Sequence, residues 1–395
     1  MTDIYEMLHA LWGAVRLPND YDSHYLYFRS HLQQQLWFQE NFLIPEMGRQ
    51  AIFFGGLSKK HSFDVAFSQA AGINLRAFLE LSFALSCQFL KSERTHSVRA
   101  EFFRNLTTSY PDGTMQSFLS LMSRDFESLR IFLKSMNEQR SVHYEFIEPT
   151  PLARFPLLRD GESFYCYQVH LLYRSIQTFV YSSLREAGAN VFMAKFGPIF
   201  EQYLARGLSH ASLEFIPESE LARMLPSGSQ LVDYTILGKE GSVLIDAKAV
   251  DVPDIGMISH KSEVVADKLK SVFKAIEQGF EVAHLLRTGS LIGASCSIFL
   301  LVVTYRDLLL GAGSEFYEAL GRRRIDQFAQ AYGGAHPIPM NQVFFLSIND
   351  FDLLMEHLKA AIPGGEFLRS GRKNKGASPA KTGLATFALK GLQEF

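Results

Sequence analysis

Two aspartates and a lysine fall close together in the second half of the sequence. Asp233 stands in one apolar segment, and Asp246 and Lys248 stand in the next, thirteen residues further on. The pattern predicts two strands, 230–237 and 242–250, joined by a glycine-flanked tight turn. Residues two apart in a strand project from the same face, so Asp246 and Lys248 share one side of the sheet. Both carboxylates and the amine are therefore expected to meet there.

A divalent cation is the expected partner of this acidic pair. Two buried carboxylates repel one another and are poorly solvated, and a bound cation removes that cost. Magnesium keeps several waters and takes a few oxygen ligands, which suits Asp233, Asp246 and the backbone carbonyl of Ala247, with Mn²⁺ as a substitute. Lys248 could then orient or deprotonate the attacking water. Glu201, on the preceding predicted helix, could add a metal ligand directly or through water. The alternative is an ordinary salt bridge between the lysine and either aspartate.

These positions carry a resemblance to a known superfamily. Glu201, Asp233 and the Asp246-Ala247-Lys248 triplet, on an α-β-β-β-α-β order of predicted elements, resemble the PD-(D/E)XK nucleases over about residues 190 to 305. Val232 replaces the proline that usually precedes the first aspartate. The resemblance implies a restriction-endonuclease-like αβββαβ core with a mixed sheet, and Mg²⁺-dependent hydrolysis of phosphodiesters. It further implies that both aspartates hold the metal, that the lysine is catalytic and that the glutamate is an auxiliary acid.

Basic and polar side chains downstream are candidates for contacts with a nucleic-acid substrate. Three residues at four-residue spacing share one face of a helix predicted over 262–286, and an arginine triplet follows on another helix. Either set could equally be an ordinary solvated surface. A third basic segment, 366–395, is predicted to be a mobile tail. The candidate substrate-binding residues are Lys270, Lys274, Gln278, Arg322, Arg323 and Arg324.

The remaining pattern divides the chain into four regions. Residues 1–145 are rich in phenylalanine at helical spacing and predict an all-helical regulatory domain with an aromatic core. Residues 146–190 predict a hairpin turning at Asp-Gly and a connecting helix. Residues 191–365 predict a mixed α/β nuclease domain, which is followed by the basic tail. Within this third region we expect a buried strand, a helix, a strand and a final helix, over 296–303, 314–332, 342–348 and 351–361.

Composition excludes several classes of protein. Thirty-nine basic and 41 acidic residues among 395 leave a net charge of −2, so any nucleic-acid contact must come from a local patch. Three distant cysteines exclude a disulfide framework and a zinc ribbon. The sequence offers no apolar run long enough for a membrane span and no signal-peptide pattern, which predicts a cytoplasmic protein with no membrane partner. It also lacks a P-loop motif, so any ATPase motor would be a separate subunit.

The sequence therefore predicts a metal-dependent nuclease that cuts DNA or a structured RNA such as tRNA. A large aromatic-rich module joined to a nuclease resembles toxic effectors of anti-phage defence of the abortive-infection type, in which the N-terminal domain senses a phage protein. An oligomer is compatible with this arrangement. One alternative is a non-catalytic restriction-like scaffold in a DNA-processing complex. Another is an unrelated α/β enzyme that acts on a small phosphorylated molecule in a closed pocket.

Overall fold

The computed structural model describes most of the chain in two compact units. The first unit comprises Met1–Asp20 and His31–Lys195, and the second comprises Tyr21–Ser30 and Phe196–Phe395. The basic tail predicted over 366–395 lies outside the described residues, as does the turn between 238 and 241. The described residues are 2–14, 20–39, 43–90, 96–99, 101–103, 109–111, 113–137, 150–238, 241–250, 252 and 254–361.

The first unit is mostly helical, as its phenylalanine spacing predicts. Its last helix, α8, runs on into the second unit and is interrupted by non-helical backbone at Gly188, close to the predicted helix end. The helices that occur in this part of the chain are α1 (Thr2–Ala14), α2 (His24–Gln39), α3 (Leu43–Gln50), α4 (Ser62–Ala71), α5 (Leu75–Leu90), α6 (Thr114–Met122), α7 (Phe126–Asn137) and α8 (Val169–His210).

A small sheet corrects the prediction that residues 1–145 are all helical. The hairpin strands β3 (Leu157–Asp160) and β4 (Ser163–Cys166) form as predicted, with Gly161 in the left-handed conformation at the turn. They pair with β1 (Ser97–Arg99) and β2 (Ser123–Asp125) in the order β1-β4-β3-β2. The two unpredicted strands have only three residues each. Their pairing depends on partners far along the chain, which no local pattern reveals.

Aromatic side chains form the core of the first unit. The rings of Phe78 and Phe179 stack with centroids 4.6 Å apart, and Phe67 and Phe118 meet Phe78 edge-on. Such offset and edge-to-face pairs add to the burial of large apolar surfaces. The phenylalanine-rich pattern of the sequence therefore reports a packed core. The hairpin 157–166 belongs to this same unit, since β3 and β4 complete its sheet.

The second unit is built on a five-stranded mixed sheet. Its order is β5-β6-β7-β8-β9, with the first two pairings antiparallel and the last two parallel. The continuous apolar run of β8 is buried along almost its whole length, as expected for a strand covered on both faces. The strands are β5 (Ile216–Pro217), β6 (Tyr234–Ile236), β7 (Gly241–Lys248), β8 (Ser297–Thr304) and β9 (Val343–Ser347).

The helices of the second unit include two that the sequence did not predict, α9 and α10, and one predicted helix is broken. The helix predicted over 262–286 is two helices, because Leu269 leaves helical geometry between them. The helix predicted over 314–332 forms with a π-helical turn over Tyr317–Gly321. The helices are α9 (Glu218–Met224), α10 (Asp254–Ile258), α11 (Ser262–Lys268), α12 (Lys270–Thr288), α13 (Gly313–Phe316), α14 (Arg322–Ala329) and α15 (Ile348–Ala361). A mixed α/β fold is thus confirmed.

A short N-terminal segment, Tyr21–Ser30, also belongs to the second unit. Arg29 is 2% exposed and donates hydrogen bonds of 3.0 Å to the carbonyl of Leu308 and 2.7 Å to the carbonyl of Gly256. Its guanidinium also reaches the carbonyl of Met257 at 2.9 Å. This contact ties α10, which follows β7, to the loop that follows β8, and nothing in the local sequence predicts it.

Two expectations about the whole chain can be compared with the structure. Cys87, Cys166 and Cys296 are all free thiols, in agreement with the prediction of no disulfide framework. Among the helices in the described part of the chain, none combines the length and the apolar composition that crossing a bilayer requires.

Candidate active site

The end of strand β7 carries the candidate site. Strand β6 pairs only with Val243–Ile245 of β7, so the last three residues of β7 extend beyond it on that side. Asp233, which directly precedes β6, lies beside this end of β7. Its Oδ2 accepts a 2.6 Å hydrogen bond from the backbone N–H of Ala247. The prediction that Asp233 lies within a strand is wrong, because β6 begins one residue later. The predicted proximity of Asp233 to the triplet is nevertheless confirmed.

Lys248 and Asp246 form a largely buried ion pair. The Nζ atom of Lys248 donates a 2.9 Å hydrogen bond to Oδ1 of Asp246, in agreement with their predicted common face. The side chains of the lysine and the aspartate are 16% and 1% exposed. Nζ also lies 2.8 Å from Oδ2, but this second contact lacks hydrogen-bond geometry. Oδ2 is thus a buried carboxyl oxygen that is paired with Nζ by charge and not by a well-formed hydrogen bond.

Gln278 of α12 joins the site from the crossover between β7 and β8. Its Oε1 accepts a 3.0 Å hydrogen bond from Nζ of Lys248, while its Nε2 donates a 2.5 Å bond to the carbonyl of Leu231. Both ends of the amide are therefore used, which fixes its orientation. Lys248 therefore donates hydrogen bonds to the carboxylate of Asp246 and to the amide oxygen of Gln278. Leu231, whose carbonyl accepts from Nε2, lies two positions before Asp233.

Glu201 borders the site from α8. Its backbone carbonyl accepts a 2.8 Å hydrogen bond from the hydroxyl of Tyr234, the residue after Asp233. Its half-buried carboxyl has a raised pKa, owing first to burial and then to the charges of Asp233 and Glu218. The glutamate is thus close enough to interact electrostatically with the aspartate. No hydrogen bond links the two carboxylates within the described residues.

Burial raises the pKa values of the two aspartates, and the charge of Asp246 adds to the increase at Asp233. Loss of solvation, followed by the charge of Asp246, raises the pKa of Asp233 to about 7. Loss of solvation also raises the pKa of Asp246, and Lys248 opposes that increase. Two carboxyl groups so close together cannot both ionise without a positive charge between them. The site is therefore built to share a proton or to bind a cation.

The donor set fits a hard divalent cation. Asp246 supplies an oxygen without a hydrogen-bond donor, Asp233 supplies a second carboxylate, and both are oxygen ligands of the kind that Mg²⁺ prefers. Within the described ranges, no group of three His, Cys, Asp or Glu side chains is arranged to hold a metal ion. Glu201 is accordingly not gathered with the two aspartates into a three-acid cluster. The site offers two carboxylates, with water or substrate left to supply further ligands.

The residues predicted to bind substrate do not lie together. Gln278 belongs to the site itself, and Lys274 is exposed one turn before it on α12. Lys270 is the first residue of α12, and its Nζ forms a 2.6 Å ion pair with Asp267. Because the helix breaks at Leu269, Lys270 is at a helix terminus rather than in the middle of a long basic face.

The arginine triplet does not act as one patch. Arg322 forms an ion pair with Glu318 and lies over the ring of Tyr317. Arg324 is half-buried, with its guanidinium carbon 4.8 Å from the ring centroid of Phe273. Arg323 is exposed. Three consecutive helical residues point in different directions, about 100° apart, so the sequence run overstates how close their charges can lie.

Two features of the site were missed by the sequence analysis. The carbonyl of Leu231 anchors Gln278, and the hydroxyl of Tyr234 anchors Glu201. Both flank Asp233 in sequence. A tyrosine directly after a candidate metal ligand is a weak signal that a hydroxyl partner lies nearby. A backbone carbonyl gives no sequence signal at all.

Comparisons with known proteins leave the interpretation to the chemistry of the site. No protein-family model matches the chain, and neither a curated protein nor a solved structure is detectably similar to it.

Proposed function

We propose that this protein is a metal-dependent nuclease that hydrolyses phosphodiester bonds. One observation carries the proposal, namely the convergence of Asp233, Asp246 and Lys248 at the end of β7, with Gln278 bonded to the lysine. A buried carboxylate pair beside a lysine supplies both a cation site and a group for handling water. The pair is not an ordinary surface salt bridge, because Asp246 is almost fully buried.

The order of the elements supports a restriction-endonuclease-like core within the proposal. Helix α8 is followed by the antiparallel strands β5, β6 and β7, with α9 between β5 and β6, and then by helices α10, α11 and α12 and the parallel strand β8. Apart from the short helices α9, α10 and α11, this is the αβββαβ order of the PD-(D/E)XK resemblance. Asp246 and Lys248 lie in the third strand, Asp233 directly precedes the second strand, and Glu201 lies in the first helix, which agrees with that resemblance.

The proposed chemistry divides between the cation and the side chains. Bound by Asp233 and Asp246, Mg²⁺ or Mn²⁺ would polarise the phosphate and make a bound water more acidic. The ammonium group of Lys248, aligned by Gln278, orients the attacking water. It also balances the negative charge of the pentacoordinate phosphorus in the transition state. Glu201 contributes an additional negative charge beside Asp233, acting through water. The attacking water forms a bond to phosphorus and releases a proton to solvent, while the bond to the leaving ester oxygen breaks and that oxygen takes up a proton from a neighbouring water.

Cleavage by the purified full chain tests the proposal. Labelled single- and double-stranded DNA and total tRNA are each incubated with wild type, Asp246→Asn and Lys248→Met, with Mg²⁺ or with a chelator. We expect cleavage of at least one substrate by wild type with Mg²⁺ only. Removing the metal ligand or the amine is expected to lower the rate by at least a hundredfold, within the range seen when a single stabilising group is removed.

A matched control separates lost chemistry from lost folding. Glu220→Gln removes an exposed carboxylate of α9, and it should cleave as wild type does. Thermal unfolding of all variants checks that they fold. If wild type cleaves nothing, or if Asp246→Asn cleaves as fast as wild type, the catalytic proposal is wrong and the fold serves as a scaffold.

We extend the proposal to a biological role as the toxic effector of anti-phage defence. Its support is that the first unit forms its own aromatic core and its own sheet, as a separate sensing module would. In cells that express the protein and are challenged with phage, wild type should degrade a discrete DNA or RNA species, and Asp246→Asn should not. Equal protection by wild type and variant would contradict this role.

A further inference from the structure

A cavity of about 920 Å³ lies on the face of α12 that packs towards α14. Its walls come from α11, α12 and α14, with Gln230 at its edge. Aromatic rings line part of it, because Phe328 and Tyr332 are both half-buried there. The volume is within the range of ligand sites, and a nucleoside occupies only part of such a space. The cavity belongs entirely to the second unit.

Charged side chains of both signs line the cavity without pairing. Glu263 comes from α11, Glu277 and Glu281 come from α12, and Arg323 and Arg324 come from α14. None of these side chains forms a hydrogen bond or an ion pair with another residue in the described ranges, although Arg324 lies over the rings of Phe273 and Phe328. Burial and the charges of Glu281 and Glu277 raise the pKa of Tyr332. The cavity therefore offers free donors, free acceptors and flat rings.

The cavity adjoins the candidate active site along two chain segments. Glu277 lines the cavity, while the next residue, Gln278, bonds to Lys248. Gln230 borders the cavity, while the next residue, Leu231, accepts the other bond of Gln278. Successive helical residues are about 100° apart, so the cavity and the catalytic lysine border adjacent faces of α12. The cavity and the candidate active site are thus neighbours along α12 and along the segment that precedes Asp233.

We propose that the cavity binds an unpaired guanine base next to the phosphodiester that is cleaved. This inference rests on the proposed nuclease function. The two glutamates disfavour a phosphate in the cavity and favour a neutral ligand with N–H donors. Guanine presents N1–H and N2–H₂ donors to a carboxylate, and O6 and N7 acceptors to an arginine, so it matches both charges at once. Phe328 and Tyr332 supply the rings on which an unstacked base can pack.

Fluorescence anisotropy with defined oligonucleotides tests the inference. The full-length Asp246→Asn chain, which retains the cavity, is titrated against labelled oligothymidine and oligouridine that contain one central guanine, inosine or adenine. Inosine lacks only the 2-amino group. We expect guanine to bind about tenfold more tightly than inosine, since one hydrogen bond to a charged group is lost. The preference over adenine should be at least as large, because adenine lacks the N1–H and 2-amino donors and carries an amino group in place of O6. Adding Glu277→Gln and Glu281→Gln should abolish the difference, whereas Glu220→Gln should preserve it.

The outcomes distinguish this inference from the nuclease proposal. If wild type cleaves nucleic acid but the guanine and inosine oligonucleotides bind equally well, the base pocket is wrong and the nuclease proposal stands. Tighter binding of adenine would overturn the assignment to guanine. If no oligonucleotide binds, the inference is likewise overturned, and cleavage by wild type alone decides the nuclease proposal. If the discrimination survives the double glutamate substitution, guanine is recognised elsewhere.

Discussion

The amine of Lys248 and the amide oxygen of Gln278 are joined by a 3.0 Å hydrogen bond across thirty residues of sequence. The bond connects the end of β7 to the middle of the helix that crosses over to β8. Because the amide nitrogen of Gln278 is used by Leu231, its oxygen must face the lysine. The glutamine thus sets the direction of the amine, a role that no basic residue on the same helix could fill.

Gln278→Ala should slow cleavage through misplacement of Lys248. The amine keeps its bond to Asp246 but loses its second acceptor, so it samples more orientations. Partners that orient a catalytic or metal-binding group typically contribute about 10- to 100-fold, and we expect a fall in kcat of that size with KM little changed. Steady-state cleavage kinetics measure it. Gln202→Ala removes an exposed glutamine of α8 and serves as control; an equal loss in both variants would contradict the positioning role.

Mg²⁺ should stabilise the folded protein through the two aspartates. A cation at a hundred times its Kd adds about 2.7 kcal/mol to the free energy of unfolding when it binds only the folded state. We expect the thermal midpoint of the second unit to rise with MgCl₂ in wild type and to stay constant in Asp246→Asn. Sodium chloride at equal ionic strength controls for screening. A rise of the same size in the variant would mean that the cation binds elsewhere.

Stability without metal should fall as pH rises from 6 to 8. The pKa of Asp233 is raised from 3.8 to about 7, so the folded state holds a proton that the unfolded state releases. Protonation thus favours folding below pH 7, and that contribution disappears as pH rises through 7. Titration of Asp233 is expected to lower the free energy of unfolding by roughly 1 kcal/mol between pH 6 and pH 8.

Urea unfolding in chelator at pH 6 and pH 8 measures this dependence. Asp233→Asn cannot titrate, so its stability should change less between the two pH values than that of wild type. The difference between the slopes isolates Asp233 from the histidines, which titrate in both proteins. Identical slopes would show that Asp233 is already ionised at pH 6.

Arg29→Met should destabilise the second unit. The methionine side chain keeps much of the aliphatic length of Arg29, but the carbonyls of Leu308, Gly256 and Met257 lose their buried donor. Leaving buried carbonyls unpaired costs about 1–3 kcal/mol each, and we expect a total of roughly 3 kcal/mol. Hydrogen–deuterium exchange should show faster exchange over 254–258 and 308–310. Arg206→Met, at an exposed position on α8, is the control and should match wild type.

The sequence determined the parts of the site that lie close along the chain. Strand alternation brings Asp246 and Lys248 to one face, and the antiparallel pairing of β6 with β7 returns Asp233 beside them. The apolar run of β8 and the amphipathic pattern of α12 likewise follow from local periodicity. The predicted mixed α/β class depended on such signals alone.

Tertiary structure decided what depends on contacts between distant segments. Strands β1 and β2, three residues each, exist because the hairpin β3–β4 offers partners, so the first unit is not all helical. Arg29 lies in the second unit, more than two hundred residues from α10 and from the segment after β8 that it joins. Side-chain packing also separated the arginine triplet and left a cavity beside Gln278. Periodicity reports which face of an element is buried, but only the assembled fold determines what that face meets.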